Sequence, residues 1–260
     1  MKTAIALIAT LLVSSISWGQ EHSTADIDMP SHDASAMQEM PGMAPDGSAH
    51  AMHSMEHRHL DMGAHMKMTT LRESKAGDEE RAQQVVEAAR KAAEKYKNYK
   101  TALADGYRIF LPNLPQKQYH FTNYWYAFEA ANRFNPEHPT SLLYEKTADG
   151  YTLIGVMYTA KKNATEDELD KRIPLSVAQW HAHVNMCIPP EDRKNEIWGA
   201  HPKFGLAGSI STRDACIAEG GKFMPQIFGW MVHVYPFEDN PEAIWSVERQ
   251  HTAARVEDEN

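Results

Sequence analysis

Hydrophobic and polar positions divide the chain into three stretches with different periods. Ala4 to Ser15 is a short, nearly unbroken apolar run behind Lys2. From Glu21 to Thr70 neither a helical nor a strand period can be found, and Gly, Pro, Asp and Ser punctuate the stretch throughout. From Asp78 the pattern becomes regular. Ala82, Val85, Val86, Ala89, Ala92, Ala93, Tyr96, Tyr99 and Leu103 recur at three- and four-residue spacing behind the acidic start Asp78-Glu79-Glu80. That spacing predicts one amphipathic helix over about 78–105, stopped at Gly106.

Beyond Tyr107 the period shortens to two. Tyr119-His120-Phe121-Thr122-Asn123 follows Pro112 and Pro115, and two β-branched, aromatic arms (Ser141–Thr147, Tyr151–Thr159) flank Ala148-Asp149-Gly150 as a hairpin. Strands are expected again over Val177–Cys187 and Phe228–Phe237, with a short surface helix or loop over Lys161–Arg172 and a capped short helix over Ser211–Glu219. The predicted fold is α+β: one long N-terminal helix packed on a mainly antiparallel sheet or small β-barrel, preceded by a disordered tail. The corresponding division is a signal peptide over 1–19, a tail over 20–76, and a domain over 77–260 that is β-rich from about 107 to 238.

The apolar run fits a secretory leader, with Ser17 and Gly19 placed for cleavage before Gln20. No later stretch is apolar enough to span a bilayer, so a periplasmic or secreted protein with no membrane association after cleavage is expected. In such a compartment Cys187 and Cys216 can pair as a disulfide, with a metal thiolate as the alternative. The formal charge of −9 argues against nucleic acid as a partner, because phosphate binding needs concentrated basic charge. No Gly-rich phosphate loop, nucleophile elbow or H-E-x-x-H helix is present.

The unpatterned tail carries the strongest chemical signal. Between Glu21 and Thr70 stand nine methionines and seven histidines, with no cysteine and no aromatic residue. Met52, His53, Met55, His57 and His59 form one cluster, and His65, Met66 and Met68 another. Such a composition cannot bury enough apolar surface to fold, but thioethers select Cu(I) and imidazole takes either oxidation state of copper. In the domain, strand alternation puts His181 and His183 on one face of Gln179–Cys187, about 6.5–7 Å apart, opposite Trp180, Ala182 and Val184. Met231 and His233 share a face of the last strand, and His120 lies in another. These four histidines form a candidate metal site, with Glu145 as an added ligand or a carboxylate that orients a ring.

Two resemblances follow from these residues. The tail resembles the Met/His-rich segments of periplasmic copper-resistance and copper-efflux proteins. Ala104-Asp105-Gly106-Tyr107, Tyr119–Asn123, Leu142-Leu143-Tyr144-Glu145 with Leu153-Ile154-Gly155-Val156, and His233 followed by Asn240-Pro241 resemble a family of uncharacterised exported bacterial proteins, over about residues 95–245. That likeness implies a secreted domain with recurrent His and Glu positions, and no activity. The expected function is binding, sequestration or delivery of a metal in copper homeostasis. Copper is the first choice of ion, zinc and iron the alternatives, and another periplasmic copper protein a candidate partner. The competing expectation is a mononuclear, cupin-like oxidoreductase using the same histidines.

Overall fold

The computed structural model describes residues 63–113, 116–247 and 249. The leader and the tail cluster Met52, His53, Met55, His57 and His59 lie outside the described residues. In chain order the elements are β1 (Met66–Met68), α1 (Asp78–Glu94), α2 (Tyr99–Ala104), β2 (Arg108–Ile109), β3 (Tyr119–Thr122), α3 (Tyr124–Asn132), β4 (Ser141–Thr147) and β5 (Gly150–Ala160). There follow α4 (Glu166–Arg172), β6 (His181–Ile188), α5 (Arg213–Ala218), β7 (Lys222–Gln226), β8 (Trp230–Val234) and α6 (Pro241–Ile244).

The eight strands among the described residues form an open sheet in the order β1-β6-β8-β5-β4-β3-β2, with β7 also paired to β6. Each pairing is antiparallel. No backbone ladder closes the sheet, so the barrel alternative is not realised. The sheet nevertheless curls strongly. In the ladder β3 and β8 are separated by β5 and β4, a span of roughly 14 Å in a flat sheet. Yet Nε2 of His120 on β3 lies 3.4 Å from Nε2 of His233 on β8, and the Gln118 side-chain amide donates to the Tyr235 hydroxyl at 3.0 Å. Gly155 permits this curl on β5: a Cβ there would lie 2.7 Å from the Val234 carbonyl oxygen and 2.9 Å from the Tyr235 ring.

The single long helix of the sequence reading is broken. A 3-10 turn, Lys95–Lys97, ends α1, and Asn98 takes extended backbone (φ −88°, ψ 102°) before α2 restarts. The Asn98 side chain accepts from the Lys100 amide and so caps the second segment, an option that apolar periodicity does not register. Ala82, Val85, Val86, Ala89, Ala93 and Tyr96 are buried, as the periodicity predicts. They cover one face of the sheet, whose inward residues include Phe121, Leu142, Tyr144, Val156, Tyr158, Trp180, Ala182, Val232 and Val234.

A second departure lies at the N-terminal edge. Met66–Met68, expected within a disordered tail, form β1 and pair with β6 in the register Met66↔His183, Met68↔His181. Composition argued for disorder because the stretch has no core of its own; the edge of β6 supplies backbone partners that composition cannot reveal. Further anchors are the Val184 amide donating to the His65 carbonyl at 2.9 Å and the Asn185 side-chain amide donating to the Ala64 carbonyl at 2.8 Å.

Candidate metal centre

The face of the curled sheet opposite α1 holds the candidate site. Directly opposed residues of an antiparallel pair project to the same face. The registers Met66↔His183, Met68↔His181, His181↔Met231 and Met157↔His233 therefore put four imidazole-flanking thioethers on the imidazole face. Met157 and Met231 are buried there in a small apolar cluster with Leu143 and Tyr235. The donor set of the tail, thioether beside imidazole, is thus repeated on an ordered surface. Sequence reading placed Met231 on the His233 face but had no access to Met157, whose position depends on the β5–β8 register.

The four strand histidines come together as the sequence reading expects. Ring centroids lie 5.6 Å apart for His183 and His181, 5.2 Å for His181 and His233, and 5.3 Å for His233 and His120. His181 and His233 are buried at 2% exposure each, whereas His183 and His120 are partly exposed. Phe228 stands edge-on to His183 at 6.4 Å and to Phe110 at 5.8 Å, an aromatic rim beside the row.

Electrostatics keep His120, His183 and His233 neutral. Burial pushes His120 down to about 4, with His183 assisting and a hydrogen bond to the Gln118 backbone opposing. Burial and then nearby His65 push His183 down to about 4. His233 lies well below the ordinary histidine value, through burial first and then the neighbouring charges of His181, His120 and His183. Neutral imidazole carries one bare nitrogen, which is the metal-binding form.

Two observations bear on whether a metal fits. Nδ1 of His233 is buried and has no hydrogen-bond partner among the described residues, a position where an ion or water belongs. The 3.4 Å between His120 and His233 Nε2 is long for a hydrogen bond. It matches the roughly 3.3–3.4 Å that separates two nitrogens bound to one tetrahedral ion at about 2.0–2.1 Å. Among the described residues, no three His, Cys, Asp or Glu side chains are grouped to hold an ion as they stand. Any preformed arrangement is therefore a two-imidazole one, with thioethers as the remaining donors nearby.

Other candidates lie apart. Glu145 is exposed near the outer end of β4, opposite Thr152; the register shift between Leu143 and Tyr144 precedes it, and its charge reaches Tyr235. Cys187 and Cys216 are joined in a disulfide, so the thiolate alternative falls away. Both half-cystines are buried with Phe204 and Ile210 in a separate cluster. His65, expected as a tail ligand, is partly buried and its Nε2 lies 2.6 Å from the Gly208 carbonyl. Tyr124–Asn132 form α3, capped by Asn123, with Trp125 71% exposed. Among the described residues no helix is long and apolar enough to cross a membrane. The chain matches no protein-family model, no curated protein and no solved structure, so functional argument rests on the site itself.

Proposed function

We propose that this is an exported, periplasmic copper-binding protein that sequesters the ion or delivers it in copper homeostasis. The observation that carries the reading is one sheet face on which His181, His183, His233 and His120 stand among Met66, Met68, Met157 and Met231. Soft thioethers discriminate for Cu(I) against zinc and iron, which a purely imidazole site does not. Among the described residues the strand registers set methionine or leucine, and no carboxylate, opposite the four histidines, which points the same way since hard oxygen ligands suit other ions. The tail cluster Met52, His53, Met55, His57 and His59 supplies weaker, earlier ligands in this reading, and a second periplasmic copper protein is the natural donor or recipient.

The test is metal retention by the full chain and by a form lacking residues 21–62, after Cu(I) loading and dialysis under reducing conditions. The full chain is expected to retain several ions and the shortened form one tight ion, lost on replacing His181, His183 and His233 together with alanine. Retention of no copper by either form overturns the reading. Equal retention by the triple variant, folded by circular dichroism, overturns the assignment of the site.

A further inference from the structure

We infer that β1 is a loading strand: Met66 and Met68 pass soft metal ions to His183 and His181, and the imidazole row carries them to a terminal His120–His233 pair. The inference rests on the copper reading above and adds a direction and a route to it. Three features of the site carry it.

The first is the position of β1 in the chain. It is the last part of the Met/His-rich stretch and the first described strand, so donors 52–59 precede Met66 by only seven to fourteen residues in the chain. Its two methionines sit opposite His183 and His181, the two histidines at the β6 end of the row. Directly opposed side chains in an antiparallel pair start about 4.5–5.5 Å apart at Cβ, within reach of one shared ion.

The second is the spacing of the row. Successive rings are 5.6, 5.2 and 5.3 Å apart, with no break from His183 to His120. An ion held by one ring can meet a bare nitrogen of the next before its old bond is lost. Transfer then proceeds by stepwise ligand exchange: one metal–ligand bond forms as one breaks, the ion's charge is unchanged, and no electron or proton need be supplied. That no three His, Cys, Asp or Glu side chains are grouped among the described residues suits this. A saturated cage would trap the ion midway, whereas two-coordinate stations release it.

The third is the gradient along the row. His183 beside β1 is partly exposed, the middle rings His181 and His233 are buried, and at the far end Nε2 of partly exposed His120 lies 3.4 Å from Nε2 of His233. Affinity should therefore rise inward.

The experiment follows Cu(I) uptake by the full chain from a coloured Cu(I) chelator in stopped flow, with tight-site affinity measured separately at equilibrium. Met66→Leu with Met68→Leu keeps side-chain volume and strand pairing while removing both sulfurs. This double variant should load the tight site at least about tenfold more slowly, with equilibrium affinity for that site changed much less, the size expected for a lost metal-contacting partner. His120→Ala should leave the fast phase intact and lower the final affinity. A double variant that loads as fast as the parent overturns the route while leaving copper binding standing. A parent chain that takes up no Cu(I) overturns both. Melting of either variant is followed in parallel, and His183→Ala serves as a second block to the row if the methionine variant fails to fold.

Discussion

The two faces of the curled sheet obey different rules although the same strands build them. On one face Trp180, Ala182, Val232 and Val234 pack beneath α1 and its neighbours, and burial alone accounts for the arrangement. On the other, residues one position away in sequence (His181, His183, His233) are imidazoles flanked by thioethers, with His183 and His233 held neutral. The first face gains stability from the apolar surface it buries, although the Trp180 indole nitrogen there also lacks a partner among the described residues. The second gives up stability whenever a proton is offered, and one buried nitrogen on it has no partner among the described residues. That cost is why the copper proposal rests on this face.

Acid gives the sharpest separation of the two faces. His120 and His183 fall from 6.5 in the unfolded chain to about 4 when folded. Their contribution is therefore fully present above about pH 6.5 and is lost as pH falls toward 4, because the unfolded chain takes up protons the folded rings refuse. The difference corresponds to about 3 kcal/mol for each ring at the lower end. Urea midpoints measured from pH 7.5 to 4 should fall across that window. Asp78, held down at about 2 by Ser176 and Arg81, gives its own loss only at lower pH. A flat profile between 6.5 and 4 would show that the imidazoles are not buried as neutral groups.

Trp180→Ala breaks the apolar face instead. The side chain is fully buried, and its truncation should cost about 3–5 kcal/mol at pH 7, with an unchanged pH slope between 6.5 and 4. Gly155→Ala tests the curl that joins the faces. A methyl group there meets the Val234 carbonyl and the Tyr235 ring, so a loss of about 1–3 kcal/mol is expected. Displacement of Tyr235, read from tyrosine absorbance and from lower copper affinity, should accompany it. An unchanged midpoint would mean that the curl has slack.

His233→Leu should have the smallest effect on folding and a large one on metal. Removing a buried nitrogen that lacks a partner is near neutral or stabilising, within about 1 kcal/mol at pH 7, while retained copper should disappear. A destabilisation of several kcal/mol, measured by urea melting, would instead make His233 a structural residue and blunt the contrast between the faces.

Much of the fold could be read from local pattern. The α1 face, the β4–β5 hairpin, the short helices α4 and α5 and the pairing of Cys187 with Cys216 follow from periodicity, turn residues and cysteine count. Failures cluster where two signals compete. Asn98 breaks a helix whose apolar period continues past it, because its side chain caps the next turn. Tyr124–Asn132 is aromatic-rich and is assigned no helical period from its pattern, but Asn123 accepts from the Trp125 and Tyr126 amides and starts a helix. Residues 222–226 carry a Pro and little alternation, yet they pair with β6 as β7.

The sequence by itself determined the donor types and their faces. Alternation along a strand is a property of the backbone, so His181 and His183 had to share a side, with Trp180 and Ala182 on the other. Which donors meet was decided only in the folded chain. β1 docked on β6 to set Met66 and Met68 opposite two histidines, and the curl of the sheet brought His120 to His233 across β4 and β5. Register and curvature arise from contacts between segments far apart in sequence, and no local pattern encodes them.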